Sequence, residues 1–476
     1  MLLTKISDYI KCKKIYQFNR NNLSFNYIAT NSKNVKKLTI FAIIDNLNFN
    51  QEYINEAISK GAIAILTAKY IKDIKINQFV VDDVYLSLRI LLEKLYPRKP
   101  INTIALTGTN GKTSVAWYIS QFCILNKIPS KTFGTLGYYV NNKKKNNSYL
   151  TTPNFEILYQ AAFSKLKNKY NFIFEASSHA IIQERIKDFP INIAAITNIS
   201  QDHLDYHKTF KNYQKAKFNL FTKYLNKNGY SILNENISNI NFLKKKINNK
   251  NIISYGHKNS DINLYVYKNN TIIKFFTKKY IIKSTIFNNI ELENIACAIA
   301  CCFCLNIGIK KIIKTIKKIN NPPGRLEEIK NKKNYKIFVD YAHTPEALKQ
   351  VLINKTNNNI KPNILFGCGG NRDKGKRFKM GHIANKYANR IFVTDDNPRN
   401  EDPAIIRKNI LDNCKRGIEI ADRKKAIFHA VNILEKNEIL IIAGKGHEKY
   451  QINKKSIKKF DDVAIIKLAL KKNEYE

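Results

Sequence analysis

The run GTNGKTS, residues 108–114, follows the apolar stretch INTIAL and opens the helical pattern KTSVAWYISQF. A strand that ends in a glycine turn and re-enters as a helix has few alternatives. The N–H groups of the turn and the helix N-terminus converge on one point, which suits a phosphate. Lys112 adds a cation there, and Thr113 or Ser114 can offer a hydroxyl to the accompanying Mg²⁺. The pattern is shorter than a full P-loop, because Leu106 stands where its first glycine belongs. A plain strand-to-helix turn is the alternative. The lysine and the two hydroxyls favour nucleotide binding by Gly108, Thr109, Asn110, Gly111, Lys112, Thr113 and Ser114.

The surrounding chain repeats this strand–helix alternation. KKLTIFAII (36–44), QEYINEAISKG and AIAILTA (62–68) read as β-α-β, with Gly61 as the helix stop. A meander of short strands is expected over 262–285, and a helix pair over about 291–319. Beyond NPPGR (321–325) the βα rhythm resumes through IFVDYAHTP, ILFGCGGNRDKGKR, IFVTDDNPR and ILIIAGKGHE. The expectation is an α/β protein with parallel sheets, whose ligands collect at the carboxyl ends of the strands. At 476 residues the chain is too long for a single core. YPRKP (96–100) and NPPGR are natural breaks, giving domains over 1–98, 99–322 and 323–476.

Lys and Arg number 81 against 37 Asp and Glu, a formal net charge of +44. The lysines are spread along the whole chain rather than gathered into a patch or reading motif, so no nucleic-acid partner is expected. The longest apolar stretch, IACAIACCFCLNIGI (295–309), is too short to cross a bilayer, and no signal-peptide pattern opens the chain. A cytoplasmic enzyme without membrane insertion is expected, and a monomer. Cys297, Cys301 and Cys304 share one helix face among apolar residues, which fits core packing better than metal binding.

Two clusters follow the phosphate turn. FEASSH (174–179) ends one strand with Glu175 and His179, and SQDHLDYH (200–207) ends the next with Asp202, His203 and His207. A carboxylate and an imidazole at adjacent strand ends could hold a metal beside the phosphate. Solvated loop histidines are the alternative. In the last third, GCGGNRDKGKR is a glycine-rich basic loop suited to an anion, and the acidic run at 395–402 suits an ammonium. An amino acid carries both.

Taken in order, GTNGKTS, TTP, EASSH, TNISQDHLDYH, PGRLE, DYAHTPEAL, GCGGNRDKGKR, DDNPR and GKGHE resemble the Mur ligases, and among them the branch that adds meso-diaminopimelate. The resemblance implies a domain for a uridine nucleotide sugar, a central ATPase and a Rossmann-like domain for the incoming amino acid. It implies an ATP-dependent ligase with UDP-N-acetylmuramoyl-L-alanyl-D-glutamate and meso-diaminopimelate as small-molecule substrates, joined through an acyl phosphate. Lys112, Glu175, His203 and Lys217 match the catalytic positions. Thr113, Glu175 and His203 match Mg²⁺ positions, and Lys217, in YQKAK, matches a lysine carrying a carboxyl group on its side-chain nitrogen. Asn294, Arg325 and Asp340 match further ATP contacts. Ser32, Thr151, Thr152, Ser177, Gln183 and Arg185 match the sugar-nucleotide contacts. Arg372, Asp396, Asn397, Pro398, Arg399, Gly444 and Glu448 match those to diaminopimelate. The chain departs from the pattern at Asn31-Ser32-Lys33, at 49–50, at Ile290-Glu291 and at Asn371.

Overall fold

The computed structural model describes residues 1–18, 23–44, 50–148, 150–163, 169–247, 251–283, 289–356, 360–454 and 456–472. They fall into two compact units. One comprises Met1–Thr103, Ile128–Phe174 and His179–Pro190; the other comprises Ile104–Lys127, Glu175–Ser178 and Ile191–Glu476.

In the first unit the strands run in the order Cys12–Tyr16, Asn77–Val81, Ala62–Thr67, Thr39–Ala42, Tyr27–Ala29. All pair in parallel except Cys12–Tyr16, which is antiparallel. The helix Gln51–Ser59 starts on Asn50, whose side chain accepts the Glu52 N–H, and stops before Gly61 at φ 100°. Also here, Asn171–Glu175 pairs in parallel with Ser130–Gly134, which continues antiparallel to Gly137–Val140 and Lys143–Asn146.

In the second unit Thr103–Thr107 pairs in parallel with Ile191–Ile196, and that strand with Leu225–Asn234 and then Ile252–Tyr255. The expected meander is present as Ile262–Tyr267, Asn270–Phe275 and Lys278–Ile282. The expected helix pair is Asn289–Cys304 and Ile309–Thr315. Cys297, Cys301 and Cys302 are fully buried, whereas Cys304 is only partly so. The helix is buried on all sides from Ile295 to Cys302, and Cys304, its last residue, is less covered; the cysteines pack in the core as expected. NPPGR is pinned rather than loose: Asn320 exchanges hydrogen bonds with the Gln121 amide at 2.8 and 2.9 Å, and the Tyr118 hydroxyl donates to Asn321 Oδ1 at 2.6 Å. Both anchors sit on Lys112–Leu125, the helix that opens at the phosphate turn.

A separate six-stranded sheet has the order Glu327–Ile329, Lys336–Asp340, Ile439–Ala443, Asn363–Phe366, Ile391–Val393, Gly417–Glu419, parallel except for its first strand. Its strands read as unbroken apolar runs because both faces are covered. Ile364, Phe366 and Ile441 join one core, while Leu365, Leu440 and Ile442 join another on the opposite face. Among the described residues no helix is long and apolar enough to cross a membrane.

Under this sheet Arg423 and Asp462 form a bidentate ion pair with both side chains 0% exposed, at 2.9 and 2.7 Å. Arg423 also donates to Ala443 O at 3.0 Å, fixing the end of a central strand. Removing one partner strands a buried charge, which typically costs about 3–5 kcal/mol. Asp462→Ala should lower the stability of the C-terminal region by that amount, read as the shift of its urea unfolding transition. A loss below about 1 kcal/mol would contradict the assigned role.

Candidate active site

The phosphate turn is held from beside and below. The Thr109 N–H donates to Asn198 O at 2.8 Å and the Asn110 N–H to Asn198 Oδ1 at 2.9 Å. The Thr197 hydroxyl donates to Asn110 O, and the Thr109 hydroxyl lies 3.0 Å from the Tyr213 hydroxyl. Gly108 has φ 143°, and a Cβ there would stand 1.8 Å from Thr197 Oγ1. Gly111 caps the helix at φ 84°, and its Cβ would stand 2.3 Å from Asn294 Oδ1. Both positions require glycine by conformation and by space. Thr197, Asn198 and Tyr213 were not singled out from sequence. TNIS is visible there, but nothing in the motif says that it buttresses a loop some 90 residues earlier.

Two lysine amines converge at the head of this turn. Lys112 Nζ donates to Gly108 O at 2.8 Å and to Thr109 O at 2.9 Å, and Lys217 Nζ donates to the same Gly108 O at 2.7 Å. Lys217 is 1% exposed and lies 4.5 Å from the centroid of the Tyr213 ring. Burial, helped by the neighbouring Lys112 charge, holds its amine well below the ordinary lysine range. Burial also lowers Lys112, opposed by Glu175 and Asp202. In the first turn of the helix, the Thr113 hydroxyl lies 3.0 Å from each oxygen of the Glu175 carboxylate. These are hard oxygen donors of the kind Mg²⁺ takes.

His203 has φ 53°, and its Nε2 lies 3.4 Å from Asp202 Oδ2. Burial alone would raise the Asp202 pKa, but His203, His343 and Lys376 together hold it below its usual value. The expected adjacency of the two strand ends needs correction. Thr103–Thr107 lies between them, pairing with Ile191–Ile196 on one side and accepting the Ala176 N–H at Leu106 O on the other. His179 lies in the short helix Ser178–Ile182 rather than on a strand, and His207 Nε2 lies 2.9 Å from the Ser178 hydroxyl.

Asp340 ends its strand with both carboxylate oxygens occupied, by the Leu326 and Ala342 N–H groups at 2.7 Å each. Burial pushes its pKa up and Arg325 works against that. The Arg325 guanidinium sits 4.4 Å over the Tyr341 ring. The Gly444 N–H donates to Asp340 O at 3.1 Å, which ties this strand end to the GKGHE turn.

Around that turn lie the residues expected to read the amino acid. Asn397 Nδ2 donates to Glu448 Oε2 at 2.8 Å, and Arg399 Nη1 donates to Gly370 O at 2.7 Å. Asp396, Asn397 and Pro398 are buried, Arg399 is partly buried, and Arg372 is exposed. Arg399 is lowered by burial and next by Arg372. Glu448 is raised by burial and next by Asp396. Asp396 and Glu448 work against the lowering of Arg399, and Arg399 and Lys445 against the raising of Glu448, so charges of both signs lie close together here. Lys445, Tyr341 and the hairpin Tyr450–Asn453/Ser456–Lys459 complete this region and were not expected from sequence. The Arg399 N–H donates to Ile452 O at 3.1 Å and Gln451 Nε2 to Asp396 O at 2.8 Å, so the hairpin is strapped to the DNPR loop.

In the first unit, Arg185 donates to Thr152 O at 2.9 Å and to the Gln183 side chain, and Thr151 Oγ1 lies 3.1 Å from Thr135 Oγ1. Gln183 and Arg185 line a cavity of about 330 Å³ with Thr30, Tyr53, Tyr85 and Asn154. Ser32 does not line it; it is 4% exposed and its hydroxyl donates to Glu56. The buried Glu156 accepts the N–H and hydroxyl of Thr30, fixing one wall. Ser177 lies on the strip 175–178 assigned to the second unit. Residue 49, at one of the sequence departures, lies outside the described residues, and so does the side chain of Ile290 at another.

Gly111→Ala tests the turn. Strain at a positive φ costs about 1–3 kcal/mol, and the contact with Asn294 adds to it. Affinity for ADP, measured by calorimetry, should fall by about tenfold or more with the circular dichroism spectrum retained. Unchanged affinity would remove this turn from the nucleotide site.

Residues 106–302 match the Mur ligase middle domain, and residues 324–446 match the Mur ligase glutamate ligase domain. A UDP-N-acetylmuramoyl-L-alanyl-D-glutamate–2,6-diaminopimelate ligase of Rickettsia montanensis is 38% identical over 461 residues, spanning 93% of this chain and 95% of its own. One from Buchnera aphidicola is 36% identical over 488 residues, spanning 95% and 96%. A solved structure of such a ligase, 27% identical and covering 100% of both chains, superposes with a TM-score of 0.65. The fold is also that of a Thermotoga maritima MurF ligase in complex with ADP, at a TM-score of 0.65 and 18% identity over 96% of this chain and 100% of that one. With the phosphate turn inside the one matched domain, the GKGHE turn reached by the other, and ligases aligned along more than nine-tenths of its length, the chain belongs to the Mur ligase family.

Proposed function

We propose that this ligase joins meso-diaminopimelate to UDP-N-acetylmuramoyl-L-alanyl-D-glutamate at the expense of ATP, in the cytoplasmic synthesis of peptidoglycan precursor. The observation that carries the reading is the cluster at the phosphate turn: Lys112 and Lys217 on one carbonyl oxygen, beside the Thr113–Glu175 pair. Such a cluster serves phosphoryl transfer, where positioning and charge neutralisation supply most of the catalysis.

Lys112 and the N-terminus of the helix Lys112–Leu125 bind the phosphates, and Asn294, Arg325 and Asp340 hold the rest of the nucleotide. The γ-phosphoryl group passes to the glutamate side-chain carboxylate, forming an acyl phosphate and releasing ADP. The neutral amine of the amino acid then attacks the acyl carbon. The C–O bond to phosphate breaks, phosphate leaves, and the amine gives up its proton as the amide forms. Thr113, Glu175 and His203 would hold Mg²⁺, which when bound supplies positive charge to the phosphate oxygens. Lys217 as an ammonium would repel a cation. A neutral amine can instead add CO₂, losing a proton to give an anionic carbamate with oxygen donors that suit such a metal. The depression of its pKa by burial favours the reactive neutral form.

Ser32, Thr151, Thr152, Ser177, Gln183 and Arg185 serve the sugar-nucleotide. For the amino acid, Arg372 and Arg399 take the distant carboxylate, with Asp396 and Glu448 on the distant ammonium. Asn397, Pro398 and Gly444 shape that pocket. L-Lysine, which lacks the distant carboxylate, would leave Arg399 desolvated and unpaired, a penalty that can reach about 10⁴-fold.

The test is phosphate release with each substrate omitted in turn. Release should require ATP, the UDP-sugar dipeptide and meso-diaminopimelate together, and L-lysine should replace the last only poorly. Release that proceeds as fast without the amino acid, or equally fast with lysine, would overturn the reading.

A further inference from the structure

Lys445 is 0% exposed, yet no step above uses it. Its ammonium donates to Asn397 Oδ1 at 2.9 Å and to Tyr450 O at 2.8 Å, and stands 3.6 Å from Glu448 Oε2. These partners come from three segments: the DNPR loop, the hairpin strand Tyr450–Asn453 and the GKGHE turn. A buried ammonium is costly to maintain without such partners. Packing alone would be served as well by an apolar side chain.

The consequence for Asn397 is specific. Its Oδ1 accepts both from Lys445 and from the Ile452 N–H at 3.0 Å, so its amide cannot turn over without facing two donors with its own NH₂. Held this way, its Nδ2 points at Glu448 Oε2. Lys445 also supplies the positive charge that offsets the crowding of Glu448 against Asp396.

We infer that Lys445 is a positioning residue for amino-acid selection, orienting Asn397 and pairing with Glu448 without touching the substrate itself. This rests on the proposed reading of the same pocket as the site for a diamino dicarboxylic acid. Loss of the ammonium frees the Asn397 amide and removes the cation that stands 3.6 Å from Glu448 Oε2. Glu448 would then hold its proton to higher pH.

The test uses the full-length protein with Lys445→Met, varying each substrate in turn. KM for meso-diaminopimelate should rise about tenfold or more, as expected when a charged hydrogen bond is lost. KM for ATP and for the UDP-sugar dipeptide should stay within about twofold. The acid limb of kcat/KM for meso-diaminopimelate should move to higher pH, a readout that loosened packing would not produce. If Lys445→Met does not fold, Lys445→Gln, which keeps an N–H donor without the charge, is read the same way. A variant with unchanged KM for meso-diaminopimelate and an unmoved acid limb overturns the inference, as does an equal rise in all three KM values. Failure of the wild-type protein to use meso-diaminopimelate at all overturns the parent reading instead.

Discussion

One carbonyl oxygen, that of Gly108, accepts hydrogen bonds from two lysine amines, and the turn at 108–114 is arranged around that fact. Two ammonium groups so close in a buried setting repel each other, and burial penalises each charge separately. The strain falls unequally. Lys112 keeps the compensating fields of Glu175 and Asp202, whereas Lys217 is depressed by burial and by Lys112 together, with only Asp202 opposing. The arrangement holds only because Gly108 approaches Thr197 too closely for any side chain, and because Tyr213 braces Thr109 while its ring lies against Lys217. Strand end, helix start and the helix Phe210–Asn219 are thereby fixed to one another.

The cluster around Asp396, Arg399 and Glu448 follows a related logic with mixed signs. Like charges are brought together in pairs, Arg372 with Arg399 and Asp396 with Glu448. Each pair is kept tolerable by buried opposite charges or amides that face away from solvent. Lys445 is one of these and Arg423 is another, since its charge is felt by both Asp396 and Glu448 while it is clamped to Asp462.

The sequence made the strand–turn–helix at 108–114, the βα rhythm after 325 and the meander legible, because each is a local pattern of period and punctuation. The placement of Glu175, Asp396 and Arg399 was also legible, since each closes or follows an apolar strand. What could not be read was support across distance. Asn198 holding the phosphate turn, Tyr341 beneath Arg325 and Lys445 behind Asn397 are contacts between segments far apart in the chain. The supposed adjacency of the Glu175 and His203 strand ends failed for the same reason: sequence order does not give sheet order. The cysteines lie in the core as expected, but a one-sided stripe was not the reason, because the helix is covered on all sides from Ile295 to Cys302.

The account stands or falls on Lys217 being a neutral, CO₂-reactive amine rather than a buried structural cation. The most direct measurement is ¹³C NMR of the wild-type protein equilibrated with ¹³C-bicarbonate, beside Lys217→Ala. A protein carbamate resonance present in the wild type, absent from the variant and lost together with activity when CO₂ is stripped is the predicted result. A fully active wild-type protein with no such resonance would contradict it.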